Sequence, residues 1–140
     1  LTLDNVVGGN LDPHHFCKPI AKAPEDRAEL QRAVLSGNPK FFFGSDSAPH
    51  RRGKKESAQG CAGVWTSPVA IPGIAKFFDD HGKLDSLSGF FSEFGPKFYR
   101  ITPSKDRITI LREPFTVPES HGEFRSFLAG EELPLRVVTK

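Results

Sequence analysis

An aspartate and a histidine that could share one reaction site stand four positions apart in this sequence. Asp46 comes two residues after the apolar run at residues 40–44, and His50 follows Pro49. A carboxylate just past the end of a buried strand can be held in a partly dry pocket, where it can bind a metal ion and move a proton. Because an aspartate in this position more often caps a turn, the residues alone leave both interpretations open.

The elements around these residues predict a parallel α/β arrangement. Residues 1–7 and 40–44 have the composition of strands, and Pro24 predicts the start of a helix that ends before Gly37. Strand, helix and strand in this order form a βαβ unit, whose two strands are parallel. Three residues are expected to share the buried face of the helix: Leu30, Ala33 and Val34.

The rest of the chain consists of one long loop, two helical segments and two short strands. The loop covers residues 45–63 and is rich in polar and ionisable groups. Apolar residues at helical spacing predict helices within 69–78 and 84–94, and strands are predicted at 108–111 and 135–138. Because chemistry in parallel α/β folds is concentrated at the carboxyl ends of strands, the long loop is the predicted functional site.

Composition indicates a globular protein of one domain. The sequence has 140 residues and a formal net charge of +2, which is too mild to indicate nucleic-acid binding. No apolar run is long enough to span a bilayer, so a cytoplasmic location is expected. Cys17 and Cys61 lack metal-ligand spacing and are expected to be reduced thiols. The sequence contains no Met and begins in a predicted strand, which predicts a fragment.

Three further features are predicted to have ordinary structural roles. His14 and His15 are adjacent and point in different directions, so a structural role is favoured over metal binding. Trp65 is expected to pack under the long loop. Four basic residues are expected to form a solvated loop face: Arg51, Arg52, Lys54 and Lys55.

Motifs in a fixed order run along nearly the whole chain. They are PH at 13–14, CKPI at 17–20, GSDSAPH at 44–50, KES at 55–57, CAG at 61–63, FGP at 94–96 and FLAGE at 127–131. Together they resemble the C-terminal portion of the single-function dihydroorotases, which are members of the amidohydrolase superfamily. The GSDSAPH, KES and CAG motifs are similar to the family's segment at the end of the eighth barrel strand.

The resemblance implies the α/β fold class, with the C-terminal part of a (β/α)₈ TIM barrel and a C-terminal α/β tail. About the last two strands of the barrel and their helices are expected. Residues 1–140 are then the C-terminal portion of one metal-dependent hydrolase domain, with the barrel end and active-site loop in 1–100 and an extension packing on the barrel in 101–140. Since a complete barrel needs about 250 residues, most metal ligands are expected outside this chain.

The resemblance also implies an activity: zinc-dependent, reversible cyclisation of N-carbamoyl-L-aspartate to dihydroorotate in de novo pyrimidine biosynthesis. Asp46 matches the catalytic aspartate, which is a ligand to one zinc of a binuclear pair and a proton shuttle. His50 matches the histidine that binds the substrate carboxylate, while Ala62 and Lys18 match positions whose backbone contacts the substrate. The partners implied are a small-molecule substrate and a second copy of the complete enzyme in a homodimer, with no nucleic acid and no membrane. The chain alone is expected to be inactive.

Two other functions are consistent with the sequence. One is another cyclic amidohydrolase, such as a hydantoinase, although His50 and the CAG motif suit an anionic pyrimidine better. The other is a noncatalytic truncated module that keeps the C-terminal motifs for binding. Zinc content separates the second from an enzyme, because a noncatalytic module would lack the metal even when paired with the rest of the barrel.

Overall fold

The chain divides into two compact units, each assembled from segments that are distant in sequence. The computed structural model describes residues 1–139. The first unit comprises residues 1–28, 45–70 and 116–132, and the second comprises residues 29–44 and 71–115 together with the segment from Leu133 onward.

Helices account for most of the regular structure. The α-helices are α1 (Asp4–Val7), α2 (Pro24–Leu35), α3 (Arg52–Lys55), α4 (Ala70–Asp80) and α5 (Phe94–Tyr99). Two 3₁₀ turns (Pro13–His15 and Leu84–Ser86) and one π-helical turn (Gly89–Glu93) accompany them. The predicted start of α2 at Pro24 is confirmed, and Gly37 follows its end with a φ of 72°, a conformation that favours glycine. None of the helices in the described part of the chain has the length and apolar character needed to cross a membrane.

Within the described residues, four short strands lie in the C-terminal third of the chain. They are β1 (Ile108–Leu111), β2 (Phe115–Thr116), β3 (Glu132–Leu133) and β4 (Arg136–Thr139). β1 and β4 are antiparallel, in a register that pairs Ile110 with Val137, and β2 pairs with β3. β1 confirms the predicted strand at 108–111, and β4 confirms the other within one residue at each end.

The predicted strands over residues 1–7 and 40–44 are both wrong. Residues 4–7 form α1, in which the Val6 and Val7 amides donate to the Leu3 carbonyl at 2.9 and 3.1 Å. Residues 40–44 form no strand; the Phe43 amide donates to the Phe90 carbonyl at 3.0 Å without extending into a ladder. A strand requires a hydrogen-bonding neighbour. The described residues supply single bonds but no ladder at either segment, so the βαβ unit is not formed within residues 1–139.

The predicted buried face of α2 is also partly wrong. Leu30 is 65% exposed, whereas Ala33 and Val34 are half-buried. Val34 packs against the core of the second unit, together with Leu35. The buried side of the helix therefore lies toward its C-terminal end, and Leu30 faces solvent.

The core of the second unit is built on the apolar face of α4. Ala75 and Phe78 are three residues apart, which places them on the same side of the helix, and both are completely buried. Their neighbours in this core are Leu87, Phe90 and Leu135. The Phe78 and Phe90 rings lie 5.5 Å apart, a distance typical of aromatic packing. The core thus joins α4, the π-helical turn and the residue that precedes β4.

An ion pair on the surface of the second unit changes the titration of one carboxyl group. Arg112 donates two hydrogen bonds to the Asp79 carboxylate, at 2.7 and 2.9 Å, in the paired geometry that a guanidinium favours. These hydrogen bonds lower the pKa of Asp79. Because the pKa is lowered in the folded state, the stabilisation is present above the ordinary value of 3.8 and is lost as the pH falls through the folded value.

We expect Arg112→Gln to raise the pKa of Asp79 toward its ordinary value, because the charged donor is removed. A carbon-detected NMR titration of the side-chain carboxyl measures this directly. Arg107→Gln is the control, since Arg107 is an exposed arginine of the same segment and forms no ion pair with Asp79 within residues 1–139. An unchanged Asp79 titration in Arg112→Gln would contradict the assignment of the shift to this contact.

Candidate functional site

Asp46 lies at the start of a loop in the first unit that we call the site loop, residues 45–67. Its backbone has a φ of 42°, in the left-handed region that residues other than glycine seldom adopt. Such a conformation is retained when the surroundings impose it, and it occurs often at functional sites. Asp46 is exposed, and its carboxylate forms no hydrogen bond with the residues that the structure describes. The carboxylate is therefore available to a ligand from outside the chain.

The site loop has two arms, residues 45–50 and 61–67. His50 lies on the first and Ala62 on the second, and they are hydrogen-bonded to each other. The His50 Nε2 atom is 3.0 Å from the Ala62 carbonyl oxygen. Because a carbonyl only accepts, Nε2 carries the proton and donates it. The ring is half-buried, and its Nδ1 atom has no partner among residues 1–139. The structure thus brings together two of the four predicted site residues, with Asp46 on the same arm as His50.

Gly63 allows this close approach of the two arms. A Cβ atom at this position would lie 2.7 Å from the Ala48 Cβ and 2.8 Å from the His50 Cδ2 atom, and the φ of Gly63 is 151°. Both the space and the backbone conformation therefore favour glycine. Beside it, the Ala48 amide donates to the Val64 carbonyl at 3.0 Å, which joins the arms a second time.

The side chain of Lys18 is not hydrogen-bonded to His50 or Ala62. It is exposed, and its ammonium group forms no hydrogen bond with the described residues. Its segment is nevertheless attached to the site loop, because the Gly63 amide donates to the Phe16 carbonyl at 2.9 Å. A backbone role for Lys18 remains a prediction.

Lys55 is the main residue that the sequence did not reveal, and its prediction as part of a solvated face is wrong. It is only 3% exposed. Its Nζ donates to three backbone carbonyls, those of Phe16 at 2.9 Å, Cys61 at 2.8 Å and Gly63 at 2.6 Å. Burial lowers the pKa of Lys55, partly offset by the nearby Cys61 and Cys17. The other three basic residues are exposed, as predicted: Arg51, Arg52 and Lys54.

The adjacent histidines form local contacts that fit the structural role predicted for them. His14 Nε2 lies 2.8 Å from Glu56 Oε1. His15 Nδ1 lies 3.0 Å from the Asn5 carbonyl oxygen, to which it can donate. The two side chains thus face different partners, as expected for neighbours on a short turn.

A segment from the C-terminal third of the chain is hydrogen-bonded to the site loop at two points. The Glu123 carbonyl accepts a hydrogen bond from the Arg52 amide at 2.8 Å, and the Phe127 amide donates to the Trp65 carbonyl at 2.9 Å. The Trp65 ring packs edge-on against His121, with centroids 5.3 Å apart. The Trp65 ring therefore packs against residues 121–127.

The donor set tests whether this chain can hold a metal ion. A carboxylate is a suitable zinc ligand, and Asp46 is available. Within residues 1–139, however, no group of three or more His, Cys, Asp or Glu side chains is placed to hold a metal ion. Since protein zinc sites use three or four protein ligands, these residues fit the role of one ligand in a larger site.

Comparison with known proteins identifies the family. A scan against family models finds no match. The chain is, however, 46% identical over 135 residues to a dihydroorotase from Alcanivorax borkumensis, covering 94% of this chain and 39% of the relative. The chain belongs to the dihydroorotase family. The predicted resemblance is therefore confirmed.

Solved dihydroorotases have the same structure over this region. The enzyme from Saccharomyces cerevisiae, crystallised with 5-fluoroorotic acid, matches with a TM-score of 0.91 and 39% identity, covering 100% of this chain and 40% of that one. The dihydroorotase from Campylobacter jejuni matches with a TM-score of 0.84 and 37% identity, covering 99% and 41% respectively. The chain thus spans less than half the length of these dihydroorotases and corresponds to their C-terminal portion.

Proposed function

We propose that this chain is the C-terminal part of a dihydroorotase catalytic domain, which opens the ring of dihydroorotate to N-carbamoyl-L-aspartate and catalyses the reverse cyclisation. The observation that carries the proposal is the His50–Ala62 pair on the loop that also presents Asp46. In this arrangement the free carboxylate can carry a proton, and the partly buried imidazole can bind the carboxylate of an anionic cyclic amide.

Asp46 is the proposed proton carrier and, among residues 1–139, the one proposed metal ligand. Zinc, when bound, polarises the substrate carbonyl and favours ionisation of water. During ring opening, Asp46 takes the proton of the attacking water and delivers it to the ring nitrogen as the carbon–nitrogen bond breaks. Its exposure, and its freedom from hydrogen bonds with described residues, support this role, because a base must reach the proton it removes.

His50 is the proposed binding group for the substrate carboxylate. With Nε2 occupied by the Ala62 carbonyl, Nδ1 is the atom left to face a ligand. In the protonated ring Nδ1 becomes a charged donor, and charge-assisted hydrogen bonds to carboxylates are among the strongest in proteins. The backbone groups of Ala62 and Lys18 are proposed to contact the other polar atoms of the substrate.

The remainder of the site is proposed to come from the part of a dihydroorotase that this chain does not span. In this proposal, residues 1–100 contain about the last two strands of a TIM barrel with their helices, and residues 101–140 form an extension that packs on it. The hydrogen bonds from residues 123 and 127 to the site loop support the packing of this extension near the site. The other zinc ligands then lie on earlier barrel strands.

The test is the substrate preference of a complete, zinc-loaded enzyme that carries this segment. It is expected to hydrolyse dihydroorotate in preference to dihydrouracil, which has the same ring without the carboxylate. We expect His50→Asn to raise the KM for dihydroorotate about 10- to 100-fold, as for the loss of a hydrogen bond to a charged group. The rate with dihydrouracil is expected to change little.

His81→Asn is a matched control, because His81 is exposed and bonded to the Phe77 carbonyl within the second unit. Zinc analysis accompanies the kinetics. An enzyme with bound zinc that prefers hydantoin would identify another cyclic amidohydrolase, and a protein that binds no zinc would support a noncatalytic module.

A further inference from the structure

We propose that Lys55 is a positioning residue, which holds the Ala62 carbonyl in place so that His50 is oriented for the substrate. This inference rests on the proposed function of His50. The Lys55 ammonium donates to the Cys61 and Gly63 carbonyls, the two that flank the Ala62 carbonyl.

The three hydrogen bonds of Lys55 fix the direction of the Ala62 peptide. Because the carbonyls of residues 61 and 63 both point at Nζ, the backbone between them has little freedom to rotate. The Ala62 carbonyl is the one of the three that is left to accept from His50, at 3.0 Å. The third bond of Lys55, to the Phe16 carbonyl at 2.9 Å, ties this backbone to the segment that carries Lys18.

The chemistry of the contact explains why a lysine occupies this position. An ammonium group has three donors and no acceptor, and here three carbonyls take all of them. No carboxylate within residues 1–139 forms an ion pair with Lys55, so the buried charge is balanced by backbone dipoles. Removing the ammonium would leave the Cys61 and Gly63 carbonyls without this donor, which is unfavourable unless the loop rearranges.

Such a rearrangement would be transmitted directly to the imidazole. Gly63 lies against His50, since a Cβ built on Gly63 would be 2.8 Å from the ring. A shift of residues 61–63 therefore moves both the acceptor of Nε2 and the wall beside the ring. The expected effect is on substrate binding rather than on the proton transfer by Asp46.

The kinetic test compares Lys55→Met with Lys54→Met in the complete, zinc-loaded enzyme. Lys54 is the matched control, because it is the preceding residue on α3 and is exposed. We expect Lys55→Met to raise the KM for dihydroorotate about tenfold with a much smaller change in kcat, since small misplacements of binding groups have effects of this order. Lys54→Met should leave both unchanged. A lower Tm for Lys55→Met with an unaltered KM would mean that Lys55 only stabilises the fold.

A double-mutant cycle with His50→Asn distinguishes positioning from a separate effect. If Lys55 acts through His50, adding Lys55→Met to His50→Asn will not raise the KM further. Equal effects in both backgrounds would overturn the proposal. Lys55→Gln, which keeps two donors on a shorter side chain, provides a milder variant, and its KM is expected between those of the wild type and Lys55→Met.

Nitrogen-15 NMR of the His50 ring gives a measurement that does not depend on turnover. In the wild type, the Nε2 proton bonded to the Ala62 carbonyl should exchange slowly with water, and in Lys55→Met or Lys55→Gln it should exchange faster. Suppose that the wild type does not hydrolyse dihydroorotate, but the Nε2 proton exchanges faster in the Lys55 variants than in the wild type. That result would support the positioning role and reject the proposed function. Unchanged protection in an active enzyme would reject the positioning role alone.

Discussion

Asp46→Asn is expected to reduce the turnover of dihydroorotate about 10³-fold or more in a complete enzyme, since acid–base groups contribute effects of this size. The amide keeps the shape of the side chain but cannot take up a proton, and it is a weaker metal ligand than a carboxylate. The structure places Asp46 in an exposed, left-handed conformation that asparagine also tolerates. The substitution should therefore leave the fold intact, so that the loss is chemical.

Steady-state kinetics, zinc analysis and a thermal unfolding curve together test this expectation. Asp4→Asn is the control, because Asp4 is also exposed and lies in the first turn of α1, away from the site loop in sequence. Near-normal turnover by Asp46→Asn would remove Asp46 from the reaction. A large fall in Tm would instead show that the carboxylate mainly stabilises its loop.

Gly63→Ala is expected to have the next largest effect, on both stability and substrate binding. The added methyl group would lie 2.7 Å from the Ala48 Cβ and 2.8 Å from the His50 ring, so one arm of the site loop must move. Overpacking of this kind typically reduces the free energy of unfolding by about 1–3 kcal/mol, and the positive φ adds strain. Because the His50 ring is one of the groups that the methyl group would displace, the KM for dihydroorotate should rise as well.

Gly9→Ala separates crowding from backbone strain. Gly9 also has a positive φ, 95°, but a Cβ atom there would meet nothing within 4 Å. Its replacement should lower the unfolding free energy through strain alone and leave the KM unchanged. If chemical denaturation finds equal losses for the two variants, and the KM is unaltered in both, the close approach at Gly63 is not important for the site.

Local signals in the sequence predicted the elements that depend on local structure. Pro24 indicated the start of α2 for two reasons. The amide proton that proline lacks would have no partner in the first turn of a helix, and the φ of proline suits a helix. β1 and β4 were predicted from their apolar and β-branched residues, and each pairs with the other within this chain.

The predicted strands at residues 1–7 and 40–44 failed for a physical reason. Apolar composition makes a segment suitable for a strand, but the strand itself exists only through hydrogen bonds to a neighbour. The amides of residues 5–7 donate to the nearby Thr2 and Leu3 carbonyls instead and form α1. The Phe43 ring packs against Phe90 and Phe91, which buries part of its surface without a ladder.

Residues of the candidate site could be predicted only where they belong to a motif shared with the dihydroorotases. Similarity to dihydroorotases singled out His50 and Ala62, and the structure joins them by a hydrogen bond. Nothing in the sequence distinguished Lys55 from Lys54, because the partners of Lys55 are backbone carbonyls that every residue possesses. Lysine is also rarely buried, so the usual expectation pointed the wrong way.

Trp65 is the single tryptophan of the 140 residues, and its packing against residues 121–127 gives the site loop one intrinsic fluorophore. The His121 ring lies 5.3 Å from that of Trp65, and the Phe124 ring lies 5.9 Å from it. Because indole emission depends on the surroundings of the ring, the fluorescence of Trp65 will report any change in its packing against residues 121–127, without any attached dye.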